Sequence, residues 1–367
     1  MIFACIWVSS LMADDAWQPA VAGYKYEFPR DHGNHSQQKI EWWYYTGHLD
    51  TRDGRSFGYQ LTFFRIGITP KTAIASPWAV RDLWMTHLAV SDLKTGTYHH
   101  DDRLNRAGPG FAGAAPDHLH VWNEDWSVSQ VPSSTGPMIL KAKNPKFGLE
   151  LELLEGKPAV FHGQDGISQK GVAAGNASHY YSLTRMPTRG VLMIGDEKHE
   201  VTGQSWMDHE FGTSFLEPEQ RGWDWISLQL DDGSDLMLFQ LRRSDGTIDT
   251  HTSGTWVPKD GAPIPLTSGD FSLRPGDEKW TSPTTKGQYP MNWQISIPGR
   301  QTQLEIRTVF PDQEMVTRST PGLHYWEGCI TAEGVNNGKP IKGRGYLEMT
   351  GYSGPAMSRW FSPRTSE

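Results

Sequence analysis

The sequence predicts an all-β fold made of two consecutive antiparallel β-barrels that pack together. Apolar and polar residues alternate over short runs, as in residues 149–153, where Leu alternates with Glu. This is the pattern of a strand with one buried face. The 38 glycines and 24 prolines are spread along the chain and supply many turns. Stretches with the period of an amphipathic helix are scarce.

Two aromatic-rich hairpins, one in each half, indicate two similar β units. Residues 41–65 begin with Glu-Trp-Trp-Tyr-Tyr and turn at Asp-Gly, and residues 223–242 begin with Trp-Asp-Trp and also turn at Asp-Gly. An Asp-Gly pair between apolar runs is a strong hairpin signal. We interpret the similarity as a faint internal duplication, with chance likeness of two hairpins as the alternative. It predicts an N-terminal barrel over residues 25–205 and a C-terminal barrel over residues 206–367, with the change between halves near residues 200–222.

Residues 1–24 are predicted to be an export signal followed by an N-terminal arm. Residues 1–13 form a short apolar segment before Asp14 and Asp15, which resembles the apolar region of a secretory signal without a basic start. We therefore expect a periplasmic or secreted protein; a frayed cytoplasmic N-terminus is the alternative. Cleavage after Ala13 removes Cys5 and leaves Cys329 alone, so no disulfide within the chain is expected.

Several classes of function are excluded by charge and by missing motifs. The net charge is −8 without a basic run, which excludes nucleic acid as a partner. No apolar stretch is long enough for a membrane span. GxSxG and Walker motifs are absent from the sequence. No metal and no cofactor are expected, because Asp208, His209 and Glu210 alternate between strand faces and therefore cannot share one ion.

The 16 tryptophans suggest contacts with a hydrophobic ligand. Residues 42–45 are four consecutive aromatics, of which alternate members point to opposite faces of a strand. We predict Trp43 and Tyr45, together with Trp223 and Trp225, as substrate-binding residues. Packing of these rings in the core is the alternative.

Two further clusters carry candidate catalytic residues. On strands, His179 and Tyr181 share one face, and so do Trp206 and Asp208. If the two strands are neighbours, the four side chains are expected to face a common cavity. A carboxyl in an apolar pocket acts as an acid near neutral pH, a His acts as a base, and aromatic rings stabilise a cation. The alternative is that Asp208 only binds an indole N–H.

These clusters and several other motifs, in their order along the chain, resemble the superfamily of AttH-like, carotenoid 1,2-hydratase-related proteins with a lipocalin-like fold. The resemblance implies two consecutive lipocalin-like barrels. In the carotenoid hydratases, a His-x-Trp is paired with a Tyr-x-Asp, and the matching positions here are His179, Tyr181, Trp206 and Asp208, with the two aromatic types exchanged. The motifs are the segments 41–44, 178–182, 206–213, 222–225, 325–328 and 343–352.

Three hypotheses about function follow. The first is a hydro-lyase that hydrates an isolated double bond of a terpenoid or lipid-like molecule, with Asp208 as the acid and His179 placing the water. The second is a carrier of a hydrophobic small molecule, associated with an ABC transporter of the AttH type. The third is a pericyclase that folds a polyene between the barrels.

Overall fold

The computed structural model describes residues 16–71, 75–76, 78–131, 136–173, 175–213, 216–320 and 322–358. The helical elements that lie wholly within these residues are two single turns of 3-10 helix, Arg30–His32 and Pro298–Arg300. Neither turn is long or apolar enough to cross a bilayer. The apolar segment predicted as an export signal lies outside the described residues, so export stays a prediction.

The first antiparallel sheet contains strands β1 to β13 and forms a nearly closed barrel. Its strand order is β4-β3-β2-β1-β13-β12-β9-β8-β7-β6-β5, and β10 and β11 pair with β12. The bounds are β1 Ile40–Asp50, β2 Ser56–Gly67, β3 Asp82–Asp92, β4 Thr97–Arg106, β5 Ala112–Ala114, β6 His120–Asn123, β7 Trp126–Gln130, β8 Met138–Lys143, β9 Phe147–Leu153, β10 Val160–Phe161, β11 Ile167–Gln169, β12 Ala177–Ile194 and β13 Glu197–Gly212.

The second sheet is a half-barrel made of strands from the C-terminal part of the chain. Its order is β17-β16-β15-β14-β25-β24-β22-β21-β18, β23 pairs with β24, and β19 and β20 form a separate pair. The bounds are β14 Gln220–Leu230, β15 Asp235–Arg243, β16 Ser253–Val257, β17 Ile264–Thr267, β18 Ser272–Pro275, β19 Lys279–Thr281, β20 Gln288–Pro290, β21 Asn292–Ile297, β22 Thr302–Thr308, β23 Glu314–Val316, β24 His324–Asn336 and β25 Lys339–Thr350.

The all-β prediction is confirmed, and the two predicted hairpins occupy equivalent places. In each sheet the first strand lies between the second and the last: β1 between β2 and β13, and β14 between β15 and β25. Gly54 and Gly233 make the two turns with φ of 85° and 87°, a backbone conformation that glycine adopts without steric cost. The chain passes from the first sheet to the second between Gly212 and Gln220, and residue 205 lies within β13. The predicted domain bounds stay a prediction.

Each sheet encloses an apolar core, and a third apolar cluster joins the two sheets. Asp235 of β15 is fully buried in the contact between the sheets, where it pairs with Lys157 at 2.8 Å and with Arg185 at 2.6 Å. Cys329 is also buried, and its thiol contacts the Tyr346 hydroxyl. The sheets therefore meet through an interface that is both apolar and ion-paired.

Candidate active site between the two sheets

The register of β12 and β13 decides which candidate side chains share a face. These strands are antiparallel neighbours, with Tyr181 opposite His209 and Ser182 opposite Asp208. Directly opposed residues of an antiparallel pair point to the same side of the sheet, and consecutive residues point to opposite sides. Tyr181 and Asp208 therefore point to opposite sides.

The prediction that His179, Tyr181, Trp206 and Asp208 face a common cavity is therefore wrong. Tyr181 is part of the core inside the first barrel, and His179, two residues earlier, points to the same side. Trp206 and Asp208 face the second sheet, where Trp206 joins the apolar cluster between the sheets. The two strands are neighbours as expected. Their pairing register, however, differs by one residue from the register that would place all four side chains on the same face.

His179 lies beneath the N-terminal arm. Its ring is 4.3 Å from that of Tyr24 and 5.0 Å from that of Phe211, measured between centroids. Burial, with a smaller contribution from the nearby His35, lowers the pKa of His179 to about 4. The imidazole is therefore neutral at physiological pH and packed against aromatic rings on the far side of the sheet from Asp208.

A cavity of about 80 Å³ lies between the two sheets. Its walls are mainly aromatic and aliphatic, with a few carboxyl groups and one lysine. This volume is smaller than the several hundred Å³ of a typical ligand pocket, so in this conformation it holds only part of a larger molecule. The lining residues are Trp42, Tyr44, Gln60, Phe64, Lys170, Tyr180, Asp208, Glu210, Leu216, Trp223, Trp225, Phe239, Leu241 and Glu348.

Asp208 lines this cavity and is 3 % exposed. Its carboxyl accepts hydrogen bonds from the Tyr180 hydroxyl at 2.7 Å, from the Trp206 indole N–H at 2.6 Å and from the Ser182 hydroxyl. Burial raises its pKa to about 7, against the lowering effect of these three donors. Asp208 is thus a carboxyl that both holds and releases a proton near neutral pH.

Two of the groups that donate to Asp208, the Tyr180 and Ser182 hydroxyls, make further hydrogen-bond contacts with neighbouring side chains. The Tyr180 hydroxyl accepts a hydrogen bond from the Trp225 indole N–H at 3.0 Å. The Ser182 hydroxyl is 2.6 Å from Nε2 of His162, whose Nδ1 is 2.8 Å from the Thr255 hydroxyl. This chain of contacts crosses from the first sheet to the second and fixes the orientation of the carboxyl.

Two of the four predicted substrate-binding residues line the cavity, and two do not. Trp223 and Trp225 are in its wall, although their role as ligand contacts stays a prediction. Trp43 and Tyr45 are fully buried inside the first barrel. Because the side chains of β1 alternate, their neighbours Trp42 and Tyr44 line the cavity instead.

A second carboxyl with a shifted pKa faces the same cavity from the opposite sheet. Glu348 of β25 accepts a hydrogen bond from the Trp223 indole N–H at 2.9 Å. Burial raises its pKa to about 7, and the negative charge of nearby Asp208 adds to this effect. A third acid, Glu210, is instead paired with Lys170 at 3.1 Å.

The model of the AttH-like family matches residues 19–352. The chain belongs to the AttH-like family. The crystal structure of a putative AttH from Nitrosomonas europaea is 34 % identical in sequence, with a TM-score of 0.82, and the match covers 92 % of this chain and 99 % of that chain. No protein with a curated function matches this chain significantly.

Two more distant structures share the fold of this AttH-like protein. Kievitone hydratase from Nectria haematococca is 16 % identical with a TM-score of 0.71, covering 92 % of this chain and 98 % of that chain. CghA in complex with Sch210972 is 12 % identical in sequence with a TM-score of 0.54, and the match covers 87 % of this chain and 89 % of that chain. At these identities the likeness concerns the fold alone.

Reasoning from the sequence missed Tyr180 and Glu348 of this AttH-like protein as site residues. Tyr180 stands in the motif Ser-His-Tyr-Tyr-Ser, directly between the two residues that were chosen, His179 and Tyr181. Glu348 stands in the C-terminal motif, but nothing in that motif indicates that β25 crosses the cavity. Only the pairing of distant strands identifies these two residues.

One group outside the cavity has the composition of a metal site. Nδ1 of His35 and Nε2 of His209 lie 2.8 and 3.0 Å from the same oxygen of Glu41, and the three residues form a candidate cluster in the described part of the chain. The other Glu41 oxygen is 3.2 Å from Nε of Arg65, which is fully buried. We interpret the group as a hydrogen-bonded network, since the buried guanidinium opposes a further cation.

Proposed function

We propose that this protein catalyses the cofactor-free hydration of an isolated double bond in a hydrophobic small molecule, within the cavity between the sheets. The observation that carries the proposal is Asp208, a buried carboxyl with a pKa of about 7 in a largely aromatic cavity. Hydration of an alkene needs an acid that still carries its proton at neutral pH and an apolar site that keeps bulk water away.

The first step is proton transfer from Asp208 to one carbon of the double bond. The π electrons form the new C–H bond, and the neighbouring carbon becomes a cation. The rings of Trp42, Tyr44 and Trp225 line the cavity and supply the electron-rich faces that attract such a cation. A tertiary cation needs the least stabilisation, so a trisubstituted double bond, as in terpenoids, is the substrate that suits this site.

The second step is addition of water, for which the site needs a base. His179 does not meet this need, because it points to the other side of the sheet. We assign the role to Glu348, which faces the cavity from the second sheet. The water oxygen forms the C–O bond, and one of its protons passes to Glu348. Transfer of that proton back to Asp208 through cavity water restores the starting state, so the net change is the addition of one water.

Asp208 and Glu348 both have a pKa of about 7, which suits the roles of proton donor and proton acceptor. The negative charge of Asp208 disfavours the charge of Glu348, and with a pKa of about 7 each group exchanges a proton near neutral pH. The fold shared with kievitone hydratase is compatible with hydration chemistry, but the residues between the sheets carry the assignment.

The proposal is tested by incubating the protein with a panel of terpenoid alkenes in heavy-oxygen water and analysing the products by mass spectrometry. The expected product is an alcohol that carries the heavy oxygen, formed by the wild type and lost with Asp208→Asn. Asp196→Asn is the matched control, because Asp196 is exposed at the turn between β12 and β13. Binding of an alkene by the wild type without any product would contradict hydration and support a carrier.

We also propose that the protein acts outside the cytoplasm, on the basis of the apolar segment over residues 1–13. Association with an ABC transporter stays a prediction from the family resemblance. N-terminal sequencing of the protein from a periplasmic fraction of its host tests export. A start after residue 13 supports it, whereas an intact N-terminus in the cytoplasmic fraction contradicts it.

A further inference from the structure

A second polar region adjoins the cavity on the side of β2. Gln60 lines the cavity and is 1 % exposed. Its Nε2 donates to the Thr62 hydroxyl at 3.0 Å and to the Tyr325 hydroxyl at 3.1 Å. Its carbonyl oxygen Oε1 has no hydrogen-bond partner among the described residues. The amide is therefore fixed by its nitrogen, and its oxygen is left as a buried acceptor.

Glu327 and His87, which lie near Gln60, each also carry a buried polar atom that lacks a hydrogen-bond partner among the described residues. Glu327 accepts a hydrogen bond from the Tyr44 hydroxyl at 2.7 Å on one oxygen, and Nδ1 of His87 lies 2.6 Å from the Tyr325 hydroxyl. The second oxygen of Glu327 and Nε2 of His87 lack partners within the part of the chain that the structure describes. Both residues are fully buried.

These side chains come from both sheets, and Gln60 is in the cavity wall, whereas Glu327 and His87 contact residues of that wall. Gln60 on β2 and His87 on β3 face the second sheet, and Glu327 on β24 faces the first. Tyr44 bonds Glu327, the His87 ring is 5.1 Å from that of Phe64, and both Tyr44 and Phe64 line the cavity. Gln60 is thus part of the wall, and Glu327 and His87 lie directly behind its aromatic residues Tyr44 and Phe64.

Buried polar atoms without partners are costly, and native proteins rarely keep several together without a use for them. Gln60 offers an acceptor. Glu327 offers a donor, because burial raises its pKa well above the usual range and keeps it protonated. His87 offers a second donor when Tyr325 donates to its Nδ1. A hydroxyl group satisfies such a mixed set, because it donates to Gln60 and accepts from a donor, whereas a hydrocarbon satisfies none of it.

We propose that Gln60, Glu327 and His87 form a hydrogen-bonding subsite for a hydroxyl group of the molecule that occupies the cavity. The ligand is accordingly an oxygenated terpenoid-like molecule and not a pure hydrocarbon. This inference rests on the proposed function only in using the same cavity, and it holds whether or not Asp208 catalyses hydration.

The test compares farnesol with farnesene, which share an isoprenoid skeleton but differ in the hydroxyl group. Binding is followed by tryptophan fluorescence, since Trp42, Trp223 and Trp225 line the cavity. Without a subsite, farnesene binds more tightly, because burying an unpaired hydroxyl is unfavourable. With the subsite, the wild type binds farnesol about ten-fold more tightly, the effect of one well-formed hydrogen bond.

The variants Gln60→Met and Glu327→Met separate the subsite from general binding, because each removes a hydrogen-bonding group while keeping an apolar side chain of similar length. Gln60→Met is expected to reverse the preference in favour of farnesene, chiefly by weakening the binding of farnesol. Glu327→Met removes the carboxyl donor and guards against misfolding of the first variant; it is expected to reduce the preference for farnesol. Gln294→Met is the control, because Gln294 is exposed on the second sheet.

The possible outcomes distinguish the two proposals. Tighter binding of farnesene by the wild type, or an unchanged preference in both variants, overturns the subsite and identifies the unpartnered atoms as sites for ordered water. Failure of the wild type to bind either probe overturns the cavity as the binding site, and with it both proposals. A farnesol preference that disappears in the variants supports the subsite even if no hydration product is ever found.

Discussion

At the scale of single residues, two opposing effects act on the carboxyl of Asp208. Burial disfavours its charge, whereas the donors Ser182, Tyr180 and Trp206 favour it, and the pKa settles at about 7. Folding therefore raises the pKa above that of the unfolded chain. Glu348 behaves in the same way. The raised pKa values therefore lower the stability of the folded protein at high pH.

The first prediction concerns the pH dependence of stability. Between pH 4 and 7 the folded state retains a proton on Asp208 that the unfolded state has lost, so stability falls as pH rises through this window. The slope is about 1.4 kcal/mol per pH unit for one group. Urea unfolding at several pH values is expected to show a shallower decline for Asp208→Asn than for the wild type. Equal slopes for the two proteins would contradict the raised pKa.

At the scale of elements, alternation along a strand was predictable but the register between distant strands was not. The sequence correctly separates Trp206 and Asp208 from Met207 and His209. It does not show whether Asp208 faces Tyr181 or Ser182, because β12 and β13 are long strands whose pairing also contains a bulge near Leu183. A shift of one residue in the pairing register moves every side chain of a strand to the opposite face of the sheet. In the observed register, His179 lies on the face that points away from the cavity.

The second prediction follows from alternation on β1. Trp43 is fully buried in the first barrel, so Trp43→Ala is expected to reduce the free energy of unfolding by about 3–5 kcal/mol. Trp42 is half-buried at the cavity, so Trp42→Ala is expected to cost less stability and to weaken ligand binding. Denaturant unfolding together with farnesol titration measures both effects. A larger loss of stability for Trp42→Ala would mean that the faces are assigned the wrong way round.

At the scale of the whole molecule, the two sheets depend on each other to build the site. Asp208 comes from the first sheet and Glu348 from the second, and the cavity exists only where the sheets meet. The repeated hairpins predicted two similar units. They did not predict that the first sheet nearly closes whereas the second stays a half-barrel, because closure depends on strand pairs far apart in sequence.

The third prediction tests how closely the sheets approach. A Cβ on Gly58 of β2 would overlap the thiol of Cys329 and the hydroxyl of Tyr346, both buried in the second sheet. Gly58→Ala is expected to destabilise the protein by about 1–3 kcal/mol, as overpacking does. Gly299→Ala is the control, because its Cβ meets no atom within 4 Å. Equal thermal stability of the two variants would contradict the close packing of the sheets at this point.

The central claim is that the cavity between the sheets holds a hydrophobic molecule and that Asp208 adds a proton to it. The most direct measurement is mass spectrometry of organic extracts from wild-type protein and Asp208→Asn, each purified from the native host. We expect Asp208→Asn to retain an unsaturated molecule, and the wild type to hold either no ligand or the same molecule heavier by one water. The same unsaturated molecule in both proteins would contradict the role of Asp208 and identify the protein as a carrier.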